Sequence, residues 1–135
     1  MIQLQIKELA ARYFNETVSV RRHLHQHPEL SFQEKDTAAF ISARLTSYGI
    51  KHSTDVGGHG IIAIIEGRNP EEKCLALRAE LDALPIQESS SQSYCSVNEG
   101  IMHACGHDAH AAMLLTAGQI LHKMKMHFDG SIKLI

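Results

Sequence analysis

No apolar run in the 135-residue sequence is longer than five residues, the length reached at 61–65 and 111–115. A membrane-spanning helix needs about 20, so no helical span and no membrane partner are expected. Charge of one sign is also missing. Thirteen Lys and Arg face fifteen Asp and Glu, a formal net charge of −2, which offers no field for gripping phosphate backbones and argues against a nucleic-acid partner. Cysteine is scarce: three residues, an odd number without framework spacing, speak against a disulfide scaffold and for a reducing, cytoplasmic setting. The first eight residues lack the apolar core of a secretory signal, in line with that expectation. What remains is an ordinary globular balance, 44% apolar and 21% charged, in a length that suits one domain. Ten histidines are the unusual entry in the composition.

Helical spacing of Ile2, Ile6, Leu9, Tyr13, Val18 and Val20 predicts an amphipathic helix to about Leu24, closed by Pro28. Ser31 and Glu34 have the spacing of a capping box, predicting a second helix through Ile41 and Leu45 that stops at Gly49. Beyond Gly49 the pattern changes. The runs at 61–65 and 74–79 read as two apolar strands separated by a turn at 67–70, in a sheet covered on both faces. Residues 87–98 are polar and serine-rich, an exposed loop. A third helix is expected from about Asp108 to Met126, and residues 131–135 begin a strand whose unpaired edge invites another chain, so self-association is expected. Cys74 reads as inert core, and Cys95 as a loop residue without a nameable partner.

The densest set of potential ligands is His103, Cys105, His107, Asp108 and His110. A thiolate and neutral imidazoles are what a zinc-class ion prefers. If the segment is extended, His103, Cys105 and His107 share one face, Asp108 can cap the helix that follows, and His110 returns to the side of His107 after one turn. An alternative makes Cys105 a nucleophile activated by a neighbouring histidine. Glu80 and Asp82 place two carboxylates at a strand end, where they could bind a metal, orient a histidine ligand, or simply solvate a turn. His23, His25 and His27 end the first helix, where positive charge complements its dipole, and are read as dipole partners rather than ligands.

Three blocks occur in order: the stretch 21–34 containing Arg21, His25, Pro28, Glu29 and Glu34; Leu77 to Pro85; and Gly100 to Leu115 with Met102-His103-Ala104-Cys105-Gly106-His107-Asp108-Ala109-His110 at its centre. Together they resemble the metal-dependent amidohydrolases that cleave N-acyl amino acids, the aminoacylase, hippurate hydrolase and auxin-conjugate hydrolase types related to zinc carboxypeptidases. The resemblance implies an α/β fold, three-layer α/β/α with a mixed central sheet, of which this chain is an incomplete part of a zinc-peptidase-like catalytic domain. It implies that Cys105 and His107 are ligands of a divalent metal pair (Zn, Mn or Co) and that Asp82 is a supporting carboxylate. Glu80 stands where family members often have Asp. The implied substrates are N-acyl amino acids or small peptides, attacked by metal-activated water with a glutamate as general base. The family's paired glutamates follow the strand begun at Ser131, and a lid or dimerisation domain comes later still. Residues 1–135 are therefore expected to be an N-terminal portion of the catalytic domain, inactive alone. A non-enzymatic metal-binding or self-associating fragment and a cysteine hydrolase built on Cys105 stand as alternatives.

Overall fold

The computed structural model describes residues 1–135. Three helices, α1 (Ile2–Gln26), α2 (Lys35–Ser47) and α3 (His107–Lys123), accompany four strands, β1 (Lys51–Val56), β2 (Gly60–Glu66), β3 (Cys74–Leu77) and β4 (Ser131–Leu134). The expected α/β class with a mixed sheet is what forms. Strand order is β1-β2-β4-β3, with β1–β2 and β2–β4 antiparallel and β3–β4 parallel. Parallel neighbours need a long crossover, and α3 provides it between β3 and β4.

Register explains the core. Ala63 pairs with Leu134 and Ile65 with Ile132, and all four side chains point to the same buried face. Onto that face pack Val20 and Leu24 from α1, Ile41 and Leu45 from α2, and Ala111, Ala112 and Leu115 from α3. The two alanines are small enough for α1 to lie close against α3, where the Thr17 and Thr116 hydroxyls meet at 2.6 Å. Gly118 lets α3 approach the sheet: a Cβ there would sit 2.5 Å from Leu134 Cδ1. Gly49, at φ +73°, ends the turn after α2, and Ile50 N–H returns to Leu45 C=O at 3.0 Å.

Three expectations differ from what is found. The sheet is covered on one face within these residues, while Ile64 stands exposed on the other. An apolar run alone does not distinguish a strand buried twice from one buried once. Residues 131–135 do not present a free edge, because β4 is an interior strand bonded to β2 and β3; the open edges belong to β1 and β3. Cys74 is exposed on β3 rather than buried. Strand β1 was not anticipated at all, since Lys51-His52-Ser53-Thr54-Asp55-Val56 carries no apolar alternation. As a polar edge strand it exposes most of its side chains and pairs through its backbone.

The one-sided burial predicts a contrast within a single strand. Ile65, 1% exposed, should lose about 2–5 kcal/mol on truncation to Ala, whereas its neighbour Ile64, 41% exposed, should lose less than about 1 kcal/mol. Urea unfolding of the two variants measures the difference.

Candidate metal centre

The chain leaves β3 still extended, and Ala79 N–H bonds Ile135 C=O at 3.0 Å beyond the end of β4. Both parallel strands thus deliver their carboxyl ends to one place, where α/β sheets collect their sites. Leu84 then pairs with Met102 through two backbone bonds of 3.0 Å, laying the segment with Glu80 and Asp82 beside the one that leads to His107. Gly106, at φ +91°, occupies the N-cap of α3 in a conformation that strains any residue with a Cβ.

His107 Nδ1 lies 2.9 Å from Asp82 Oδ1 and 3.0 Å from the Asp82 carbonyl. Both partners are acceptors, so the ring carries a proton on Nδ1, and in the neutral ring Nε2 keeps its lone pair. Asp82 Oδ2 in turn accepts the Ser31 hydroxyl at 2.8 Å. Burial opposes ionisation of Asp82, but the hydrogen bonds from Ser31 and His107 outweigh it and hold the carboxyl below its ordinary range. His110 stands one turn on, its ring 6.1 Å from that of His107 and its Nδ1 4.0 Å from Glu80 Oε2. The structure therefore gathers Glu80, Asp82, His107 and His110. Cys105 is exposed at the mouth of the same turn. His103 is not on their face: the backbone bends at Cys105 and Gly106, and His103 is buried with neither ring nitrogen bonded. Burial lowers its pKa against the pull of Asp108.

Asp108 does not cap α3. Its side chain is 0% exposed, and Oδ2 accepts from Arg21 Nε at 2.9 Å and His25 Nδ1 at 2.7 Å. The far nitrogen of His25 meets Glu88 Oε1 at 3.2 Å, so the ring lies between two carboxylates, with Arg21 Nη2 also 3.2 Å from its Nδ1. The buried Asp108 carboxylate is thus compensated by the Arg21 guanidinium and by the hydrogen bond with His25. Glu88 also accepts the Ser90 hydroxyl at 2.6 Å and Ser96 N–H at 2.7 Å, and Tyr94 lies under Arg21 and Arg22, which fastens loop 87–98 to α1. Cys95 takes part in this loop through a 3.2 Å contact with the Ser90 hydroxyl. Reading His25 as a dipole partner missed this network. The available signals were Arg21 and His25 one helical turn apart, and Glu88 as the first carboxylate of a serine-rich loop. His23 instead stacks on Phe40 at 4.0 Å.

Residues 76–135 match the model of peptidase family M20/M25/M40. Over that segment, which is less than half of its length, the chain is similar to peptidase family M20. An N-acyl-L-amino acid amidohydrolase of Geobacillus stearothermophilus is 40% identical across 100% of this chain and 36% of that relative. A protein from methicillin-resistant Staphylococcus aureus superposes with a TM-score of 0.92 at 43% identity, over 100% of this chain and 36% of its own. A dinuclear metal-binding M20 peptidase from Bacillus subtilis superposes at 0.85 with 35% identity, over 92% of this chain and 35% of its own. The chain thus spans about a third of the length of these relatives. The family supports a divalent metal cofactor, and the donors present suit one in kind. They comprise an exposed thiol and an imidazole whose Nδ1 is tied to a carboxylate, the usual backing of a metal-binding histidine. In number they are a partial set, since no three His, Cys, Asp or Glu side chains converge to hold an ion.

Three outcomes follow. The Ser90 and Ser96 hydrogen bonds, with help from His25, lower the Glu88 pKa to about 2 from 4.5. Its contribution to stability is therefore complete above about pH 4.5 and lost as pH falls towards about 2; Glu88→Gln should flatten that part of the thermal-melt profile between pH 2 and 6. Asp108→Ala, which leaves Arg21 without its counter-charge and His25 Nδ1 without its carboxylate partner, should cost about 3–5 kcal/mol in urea unfolding. Asp129→Ala, at the exposed Arg68 pair, should cost about 1 kcal/mol or less.

Proposed function

We propose that residues 1–135 are the N-terminal portion of the catalytic domain of an M20 amidohydrolase, contributing Cys105 and His107 to a divalent metal pair. The full-length protein would hydrolyse the amide bond of N-acyl amino acids or small peptides. The observation that carries this reading is the His107–Asp82 pair, which fixes the tautomer and leaves Nε2 as a donor two residues from an exposed thiol. The name of the Geobacillus relative supports the substrate class.

A zinc, manganese or cobalt pair would polarise the amide carbonyl and acidify water. The chain's own residues have narrower tasks. Cys105 stands just before the N-terminus of α3, the positive end of that helix. Asp82 orients His107. Glu80 and His110 flank the same place, and His103 stays inside the turn as a neutral ring beside Asp108. The general base, further ligands and a lid or dimerisation domain belong, in this reading, to the other two-thirds of the relatives' length. Cys105 makes no hydrogen bond to a base, which weighs against the cysteine-hydrolase alternative. Exposed Leu75 on the open β3 edge favours self-association, and three free thiols favour a reducing compartment such as the cytoplasm.

Metal content and N-acyl amino acid hydrolysis, measured on one purified sample with and without zinc, manganese or cobalt, test the proposal. The expected result is chelator-removable metal without turnover, with Cys105→Ser binding far more weakly than Cys74→Ser or Cys95→Ser. Equal metal affinity in all three variants would remove Cys105 from the site. Turnover by the 135-residue chain would show that the base lies within it.

A further inference from the structure

Ser31 and Glu34 have the spacing of a capping box, yet neither caps α2. Glu34 occupies the N-cap without a side-chain bond. The service is performed by Glu29, whose carboxylate accepts Asp36 N–H at 3.2 Å and Thr37 N–H at 2.7 Å. Ser31 is thereby free, and its hydroxyl goes 51 residues away to Asp82 Oδ2 at 2.8 Å. The two oxygens of Asp82 are divided, one held by Ser31 and the other by His107.

The loop carrying Ser31 is held from both sides. Leu30 bridges Ala83, and Ala83 N–H bonds Glu29 C=O at 2.8 Å, so residues 29–30 run along the strand end that bears Asp82. A turn closes from Gln33 N–H to Leu30 C=O at 2.9 Å, and Phe32 sits in it at φ +64°. A bulky residue there is strained, and because the side chain is 84% exposed, burial of the ring does not offset the strain. The conformation is maintained by the contacts at 29–31, and it sets the serine hydroxyl on Asp82.

We propose that Ser31 is a positioning residue for the metal centre, holding Asp82 in the orientation that keeps His107 protonated on Nδ1 and open at Nε2. The proposal rests on the reading of His107 and Cys105 as ligands. Asp82 held at one oxygen alone can rotate away from the ring; held at both, it fixes the donor before an ion arrives, the task of groups behind a ligand.

The test uses the 135-residue chain titrated with Co²⁺, reading affinity and the near-ultraviolet thiolate-to-cobalt band, with nitrogen NMR of the metal-free His107 ring as a second readout. Ser31→Ala should weaken Co²⁺ binding about tenfold, the lower end of losses seen for groups behind a ligand, and should mix the His107 tautomers. Ser31→Thr, which keeps the hydroxyl, should restore both. A wild-type band with unchanged affinity and tautomer in Ser31→Ala overturns the proposal alone, as does a Thr variant as weak as Ala. A wild type showing no cobalt band, like Cys105→Ser, overturns the ligand reading and the proposal with it.

Discussion

Asp108 brings a carboxylate into the interior at zero exposure, where an uncompensated charge would be costly. Arg21 and His25 supply the compensation from the last two turns of α1, so α1 and the first turn of α3 are tied together at their functional ends. The apolar contact of Val20 and Leu24 with Ala111, Ala112 and Leu115 stabilises the pair of helices, and the charge fixes where one stands along the other. Position in space of His107, the residue before Asp108, depends on that registration. Through His25 and Glu88 the same charge also fastens the serine-rich loop.

A second chain of contacts converges on His107 from the opposite side. Parallel pairing of β3 with β4 carries Asp82 to the carboxyl end of the sheet, the Leu84–Met102 bridge lays it beside the incoming segment, and the left-handed turn at Gly106 starts α3 there. His107 is thus held by a buried charge behind it and by a half-exposed carboxylate in front. That carboxylate is shared with Ser31, so a loop ahead of α2 reaches the centre as well.

Much of this was open to reading. Periodicity located all three helices within a few residues, the run at 61–65 became most of β2, and the run at 74–79 holds all of β3, which stops at Leu77. Residue chemistry singled out Cys105, His107 and Asp82, and the contact between the last two is present. Strand β1 escaped because a polar edge strand leaves no hydrophobic period. Ser31 was misread because a capping box is a local pattern: α2 begins only at Lys35, with Glu34 at its N-cap, and Glu29 accepts the Asp36 and Thr37 N–H groups of its first turn. His25 was misread because its partners lie 83 and 63 residues away.

By itself the sequence determined the helices, the apolar strand runs and the identity of the metal-type donors, because burial period and side-chain chemistry are properties of neighbouring residues. Tertiary structure alone decided that β4 is interior, that one sheet face is open, that His25 bridges two carboxylates, and that Ser31 serves Asp82. Each of those depends on which groups meet across dozens of residues. That is settled by the joint packing of the elements and by the need of every buried charge for a partner, and no local pattern encodes it.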